Sequence, residues 1–325
     1  MNDDGQDQRG GNSSGNSTGN ASWERQAIER LAFGALAEQK KARRWGIFFK
    51  VLGFAYLTFL LVMAFDLGRG ESRGGDHTAL IDLQGAISAR GAADADRITG
   101  ALRSAFKDKS TKGVVLRINS PGGSPVQSGI IHDEIERLRK KHPDTPLYVV
   151  VEDICASGGY YIAAAADKIY VDKASLVGSI GAIMNSFGFT EAMQKLGVER
   201  RTITAGDNKA FLDPFGPQLP KQREFAEKLV ENIHQQFIDV VKKGRGTRLK
   251  QDATIFSGLI WTGEKSIELG LADGFGTVDS VARDIIKAER IIDFTQKDNV
   301  AERLAKRFGM GAAAALGLDT LLQWH

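Results

Sequence analysis

Apolar residues are nearly absent from positions 1–22, where Asn, Ser, Gly, Asp and Gln dominate. Such a segment buries too little surface to offset its ordering entropy, so a disordered tail is expected there. Residues 23–44 are charged and helix-like, ending in Lys40, Lys41, Arg43 and Arg44. Then the pattern changes: Trp45 to Phe65 is 21 residues with one charge, Lys50. As a helix it spans about 32 Å, against roughly 30 Å for a bilayer's hydrocarbon core. Apolar side chains run around every face rather than along one stripe, which argues against a buried core helix. Lys50 lies near the basic end, where its ammonium can snorkel to the interface. The run exceeds a signal-peptide length, and Asp66-Leu67-Gly68-Arg69 is no small-x-small cleavage site, so a retained transmembrane helix over 45–65 is expected. The basic cluster before it, against Arg69 and Arg73 after it, places the N-terminus in the cytoplasm and the rest outside the inner membrane. Residues 66–77 read as a short tether.

From residue 78 the pattern alternates between strand-like and helix-like periods. Strands are expected over 79–84, 113–118, 147–152, 168–171, 176–184 and 200–205. Helices are expected over 94–107, 124–142, 160–166, 186–196, 262–269 and 279–292. A longer helix opens at Pro220, carries Phe225, Leu229, Ile233 and Phe237 at i+4 steps, and closes at Lys242, Lys243 and Gly244. Alternating strands and helices imply an α/β domain over 78–292 with largely parallel pairing. Residues 293–325 hold an amphipathic piece (Leu304, Phe308) and an Ala/Gly/Leu run too short to span a bilayer; no role is assigned to them.

Composition mainly excludes. With 43 basic against 40 acidic residues there is no general case for nucleic acid. Cys155 is the only cysteine, so neither an intramolecular disulfide nor a multi-cysteine zinc site can form within one chain. The five histidines are scattered, and neither a metal nor a cofactor is expected.

Candidate chemistry centres on Cys155-Ala156-Ser157-Gly158-Gly159-Tyr160-Tyr161, between a strand-like and a helix-like run. A serine at such a turn stands at the mouth of a sheet beside free helix N–H groups. Ser-Gly-Gly also caps inert helices, so the stretch alone leaves both readings open. Asn119-Ser120-Pro121-Gly122-Gly123-Ser124 is a second strand-to-helix loop, whose glycine N–H groups can face an oxyanion. A Ser-His-Asp triad lacks support, because no histidine lies between His142 and His234 and both are expected on solvent-facing helix surfaces, while His132 is expected on the charged side of its helix. Lys209 offers another base if Phe211, Leu212 and Phe215 exclude water and keep its amine neutral.

Taken together, Asn-Ser-Pro-Gly-Gly-Ser (119–124), Ala-Ser-Gly-Gly-Tyr-Tyr (156–161), Val-Gly-Ser-Ile-Gly-Ala-Ile (177–183) and Lys209 with Asp-Pro-Phe (213–215) resemble the bacterial signal peptide peptidase A family. The resemblance covers about residues 78–290. It implies a Clp-protease/crotonase-like fold of repeated ββα units behind a single transmembrane helix. By position it makes Ser157 the nucleophile, Lys209 the general base, and the N–H groups of Gly123 and Gly158 the oxyanion hole. Gly122 would support the turn and Ser179 would orient the lysine amine. It further implies a membrane-anchored serine endopeptidase for hydrophobic, signal-peptide-like substrates. Its partners would be copies of itself, in a homo-oligomeric ring whose sites are completed between subunits. Three rivals stand beside it: a membrane-protein quality-control peptidase, a crotonase-like acyl-CoA enzyme, and a catalytically silent scaffold.

Overall fold

The computed structural model describes residues 43–61 and 75–296. The chain divides into two units, Met1–Gly70 and Glu71–His325. In the first, helix α1 (Arg43–Leu61) is long and apolar enough to cross a membrane, and all of its residues are exposed. The expected tail 1–22, nearly all of 23–44, the last residues of the 45–65 span, most of the tether and the extension beyond 296 lie outside the described residues.

The second unit is built on a sheet of eight strands. Its spine comprises β1 (His77–Gln84), β2 (Thr111–Ser120) and β3 (Leu147–Ala156), all parallel. Helices α2 (Ala95–Lys107) and α3 (Pro125–Lys141) make the crossovers. Val114, Val115 and Leu116 of β2 and Val149, Val150 and Val151 of β3 are buried in succession, as befits strands covered on both faces. Asp94 caps α2 by accepting from the Arg97 N–H at 2.9 Å, and Ser124 with Pro125 opens α3.

The short helix α4 (Gly158–Ala163) follows β3, then β4 (Lys168–Val171) and β5 (Leu176–Gly178). The N-terminal half of β3 pairs with β4 and its C-terminal end with β5. After α5 (Thr190–Lys195) and α6 (Pro220–Arg245) come β6 (Ile260–Thr262), α7 (Gly263–Glu268) and β7 (Gly274–Phe275). Helix α8 (Val278–Ser280) runs on as a wider turn over Val281–Ile286, and β8 (Ile291–Asp293) ends the described chain. The main path is β6-β5-β3-β2-β1-β8; only the β5–β6 pairing is antiparallel. The α/β class and the crossover elements agree with the sequence pattern.

Four expectations need correction. The 176–184 strand stops at Gly178, because Gly178 and Ser179 take φ of 115° and 52° and turn the chain out of the sheet. Residues 200–205 form no strand and are exposed. The 186–196 helix shrinks to α5, which buries none of its residues and so gains little from packing. The 279–292 helix ends at Ile286, where Lys287 takes a left-handed φ of 64°. Ile291 and Ile292 then join the sheet edge beside β1.

Candidate active site

Ser157 occupies the turn between β3 and α4 with φ 51° and ψ −122°, a conformation costly for a residue with a Cβ. Two backbone bonds hold it there. Its N–H donates to Gly178 O at 2.8 Å, and its carbonyl accepts from Tyr161 N–H at 3.0 Å. Its hydroxyl makes no capping bond to α4. The inert-cap alternative required that bond, so its main support is gone. Just before the turn β3 carries two more residues than β2 between the Ile118–Val151 and Ser120–Cys155 pairs, a bulge of the kind that re-aims side chains beside sites. Cys155 is fully buried, and burial pushes its thiol up, away from a reactive thiolate.

The glycine loop meets this turn directly. A Cβ on Gly122 would lie 2.7 Å from both Gly158 N and the Ser157 Cβ, and one on Gly123 would lie 2.2 Å from Ile87 O. Both glycines have positive φ, 98° and 146°. Ile87 fixes the loop by donating to Gly122 O at 2.8 Å and accepting from Ser124 N–H at 2.9 Å. That pairing leaves the Gly123 N–H turned away from Ile87, while the Gly158 N–H is the first of a helix and has no intrahelical acceptor. Both residues line one cavity of about 770 Å³ with Ser157 and Ser179.

Ser179 is half-buried with φ 52°, held by its N–H donating to Leu259 O at 2.7 Å. The apolar part of the cavity is supplied by Tyr161, Ile183, Met184, Val230, Ile233 and Phe237. Burial raises the Tyr161 phenol above its usual range, so it stays neutral and serves as wall.

Lys209 is elsewhere. It lies in an exposed turn, with its N–H donating to Gly206 O at 3.1 Å, and is absent from the cavity lining. Phe215 beside it is 42% exposed, so within one chain the expected water-excluding shell around the amine does not close.

Two histidines also depart from expectation. His132 is buried rather than on a charged surface, packed edge-on against Tyr161 at 5.3 Å between ring centres. His234 lines the Ser157 cavity rather than facing solvent, with Nε2 3.1 Å from Ile180 O. The available signal was its spacing on α6, four residues after Val230 and three before Phe237, which puts all three on one helix face.

This is an α/β protein that presents a strained serine beside two neighbouring glycines, Gly123 and Gly158, at the carboxyl end of a parallel sheet. The model for peptidase family S49 matches residues 139–291. The putative protease slr0021 of Synechocystis sp. is 32% identical over 201 residues, 61% of this chain and 69% of that protein. The putative signal peptide peptidase SppA of Enterococcus faecium is 31% identical over 194 residues, 60% of this chain and 56% of that protein. A Brucella abortus protein named Na(+)/H(+) antiporter NhaA is 46% identical over 201 residues, 62% of this chain. The chain spans only about a quarter of that relative's length, 27%, so most of the protein so named lies outside the match. The chain belongs to peptidase family S49, the signal peptide peptidase A family that its motifs resemble.

Proposed function

We propose that this chain is a membrane-anchored serine endopeptidase for hydrophobic, signal-peptide-like peptides, working through Ser157 and Lys209. The observation that carries the reading is the Ser157 turn: a strained serine free of capping duty, in contact with the Gly122-Gly123 loop, on a cavity with an apolar wall. The hydroxyl attacks the scissile carbonyl, and its proton passes to the Lys209 amine. The Gly123 and Gly158 N–H groups bind the oxyanion, each worth about 10²–10³ in rate by analogy with measured oxyanion donors. The lysine then returns the proton to the leaving amine, and water hydrolyses the acyl-enzyme.

Because Lys209 stands outside the cavity of its own chain, the reading includes a second copy that supplies it, in a homo-oligomer whose sites form between subunits. The exposed apolar side chains of Phe187, Leu196, Ile203 and Phe225 support such a contact. Helix α1 supports the anchor, at about 28 Å long for a hydrocarbon core of roughly 30 Å. The N-terminus is then cytoplasmic and the catalytic unit periplasmic. Ser179 orients the lysine amine.

A fluorophosphonate probe on the full-length protein in detergent tests the reading. Labelling is expected at Ser157 and lost in Ser157→Ala. Labelling that persists in Ser157→Ala, or none in the wild type, rejects it.

A further inference from the structure

We infer that His234 is a positioning residue that latches the substrate-facing wall of the cavity to α6, and so governs peptide binding rather than bond cleavage. The inference rests on the peptidase reading of the same site. A carbonyl oxygen only accepts, so the 3.1 Å contact with Ile180 O puts the hydrogen on His234 Nε2. Nε2 is thereby engaged and unable to take the Ser157 proton. The ring instead holds Ile180, which is fully buried and follows Ser179 directly.

The segment so held is tied to the packed sheet at its start, while its far end is bonded to a surface loop, Phe189 N–H donating to Pro214 O at 2.7 Å. Ser157 N–H donates to Gly178 O and Ser179 N–H to Leu259 O, while a Cβ on Gly181 would meet the Gly258 Cα at 3.2 Å. Beyond Gly181 regular structure stops until α5, and Ile183 and Met184, both on the cavity wall, are 84% and 46% exposed. His234 is therefore a fixed point just before that wall. It is equally distinctive on α6. Side-chain bonds nearer the helix start, Arg223–Glu227 and Lys228–Glu224, stay within the helix, whereas His234 reaches another element. Without it, the start of the wall and the start of the packed half of α6 lose their common polar tie.

The chemistry separates this role from catalysis and from bulk. A glutamine amide can present its N–H where Nε2 stands; phenylalanine keeps the ring's volume with no donor. With a fluorogenic apolar peptide as substrate, His234→Phe and His234→Ala are expected to raise KM about three- to tenfold, the worth of one neutral hydrogen bond, with little change in kcat. His234→Gln should return KM to near the wild-type value. An unchanged KM in His234→Phe, or a fall in kcat alone, overturns the latch. Hydrogen exchange by mass spectrometry on the same full-length variants reads it without turnover. The 179–189 peptide should exchange faster in His234→Phe than in the wild type or His234→Gln, and equal exchange overturns the inference. Faster exchange in a protein with no Ser157-dependent cleavage would instead reject the peptidase reading and leave the latch standing.

Discussion

The stretch from His77 to Ile180 and the stretch from Gly181 to Gln236 have similar appetites for apolar residues and opposite fates. The first supplies most of the main core, with Ile81, Leu83, Leu116, Ile118, Ile131 and Val149 inaccessible to solvent. In the second, no residue is buried, and Ile183, Leu196 and Ile203 are 84, 78 and 100% exposed. Yet the second stretch has local order. Phe189 stacks between Phe187 and Phe215, and Arg200 bridges Asp213 at 2.7 Å while lying over the Phe215 ring. Apolar residues that keep a defined arrangement without burial fit a surface awaiting another chain. The candidate nucleophile sits in the finished half and the candidate base in the unfinished one. One chain thus carries both members of the proposed dyad, with Lys209 outside the cavity that Ser157 lines.

The largest effect tests whether that split is real. Ser157→Ala and Lys209→Ala should each lower kcat by at least about a thousandfold as pure variants. Mixed before assembly, the two should regain activity if each site joins a serine from one subunit to a lysine from the next. Random mixing in a closed ring would make about a quarter of the sites whole. Co-purified differently tagged chains, assayed with a fluorogenic peptide, give the measurement. A mixture as inactive as its parents would put both residues in one chain and remove the comparison's main consequence.

A second test asks whether stability, unlike chemistry, belongs to the packed parts of the unit, which resume at Phe237. Arg245, near the end of α6, is fully buried, donates to Gly270 O and Asp273 at 2.8 Å each, and Arg248 reaches the same carboxylate at 3.3 Å. Burial pushes the Asp273 carboxyl up, but the Arg245 hydrogen bond and charge outweigh it and hold the carboxyl below its usual range. Arg245→Ala leaves the largely buried carboxylate with only the Arg248 guanidinium and the Ile169 N–H, and should cost about 3 kcal/mol in urea unfolding. Ile203→Ser, at a fully exposed position, should stay within about 0.5 kcal/mol. Equal losses would mean that the exposed stretch is part of the same folding unit.

The same division explains which features were legible in the sequence. Strands β1 to β3, helices α2 and α3, and the Ser157 turn were readable because local pattern and burial within this chain coincide there. Asp94 and Ser124 cap where polar residues precede apolar periods. From Gly178 onward the two part company. Residues 176–184 have a strand's composition, but positive φ at Gly178 and Ser179 takes them out of the sheet, and no alternation rule sees that. Residues 186–196 have a helix's spacing with no surface in this chain to use it. His234 escapes a reading that weighs histidine only as a triad base or a metal ligand, although its neighbours on the helix face mark it as inward.

The smallest effect is a pH dependence confined to the finished half. Glu134 on α3 accepts from Arg137 at 2.7 Å through both oxygens and from Arg103 of α2 at 2.6 Å, so it clasps the two crossover helices. The Arg137 hydrogen bond first, and then that of Arg103, lower its carboxyl from 4.5 to about 2. A folded-state value below the unfolded one stabilises the fold fully above about pH 4.5, and the contribution fades as pH falls toward 2. Both arginine side chains are more than half exposed, which screens the pair and leaves roughly 1–2 kcal/mol. Urea unfolding between pH 5 and 2.5 should therefore show a shallower loss of stability in Glu134→Gln than in the wild type, by about that amount. Glu224→Gln, removing a carboxylate that Lys228 also lowers but on the exposed start of α6, should leave the slope unchanged. If Glu224→Gln flattened the profile as much as Glu134→Gln, charge in the exposed stretch would be as well ordered as in the packed one, and the contrast would reduce to apolar burial alone.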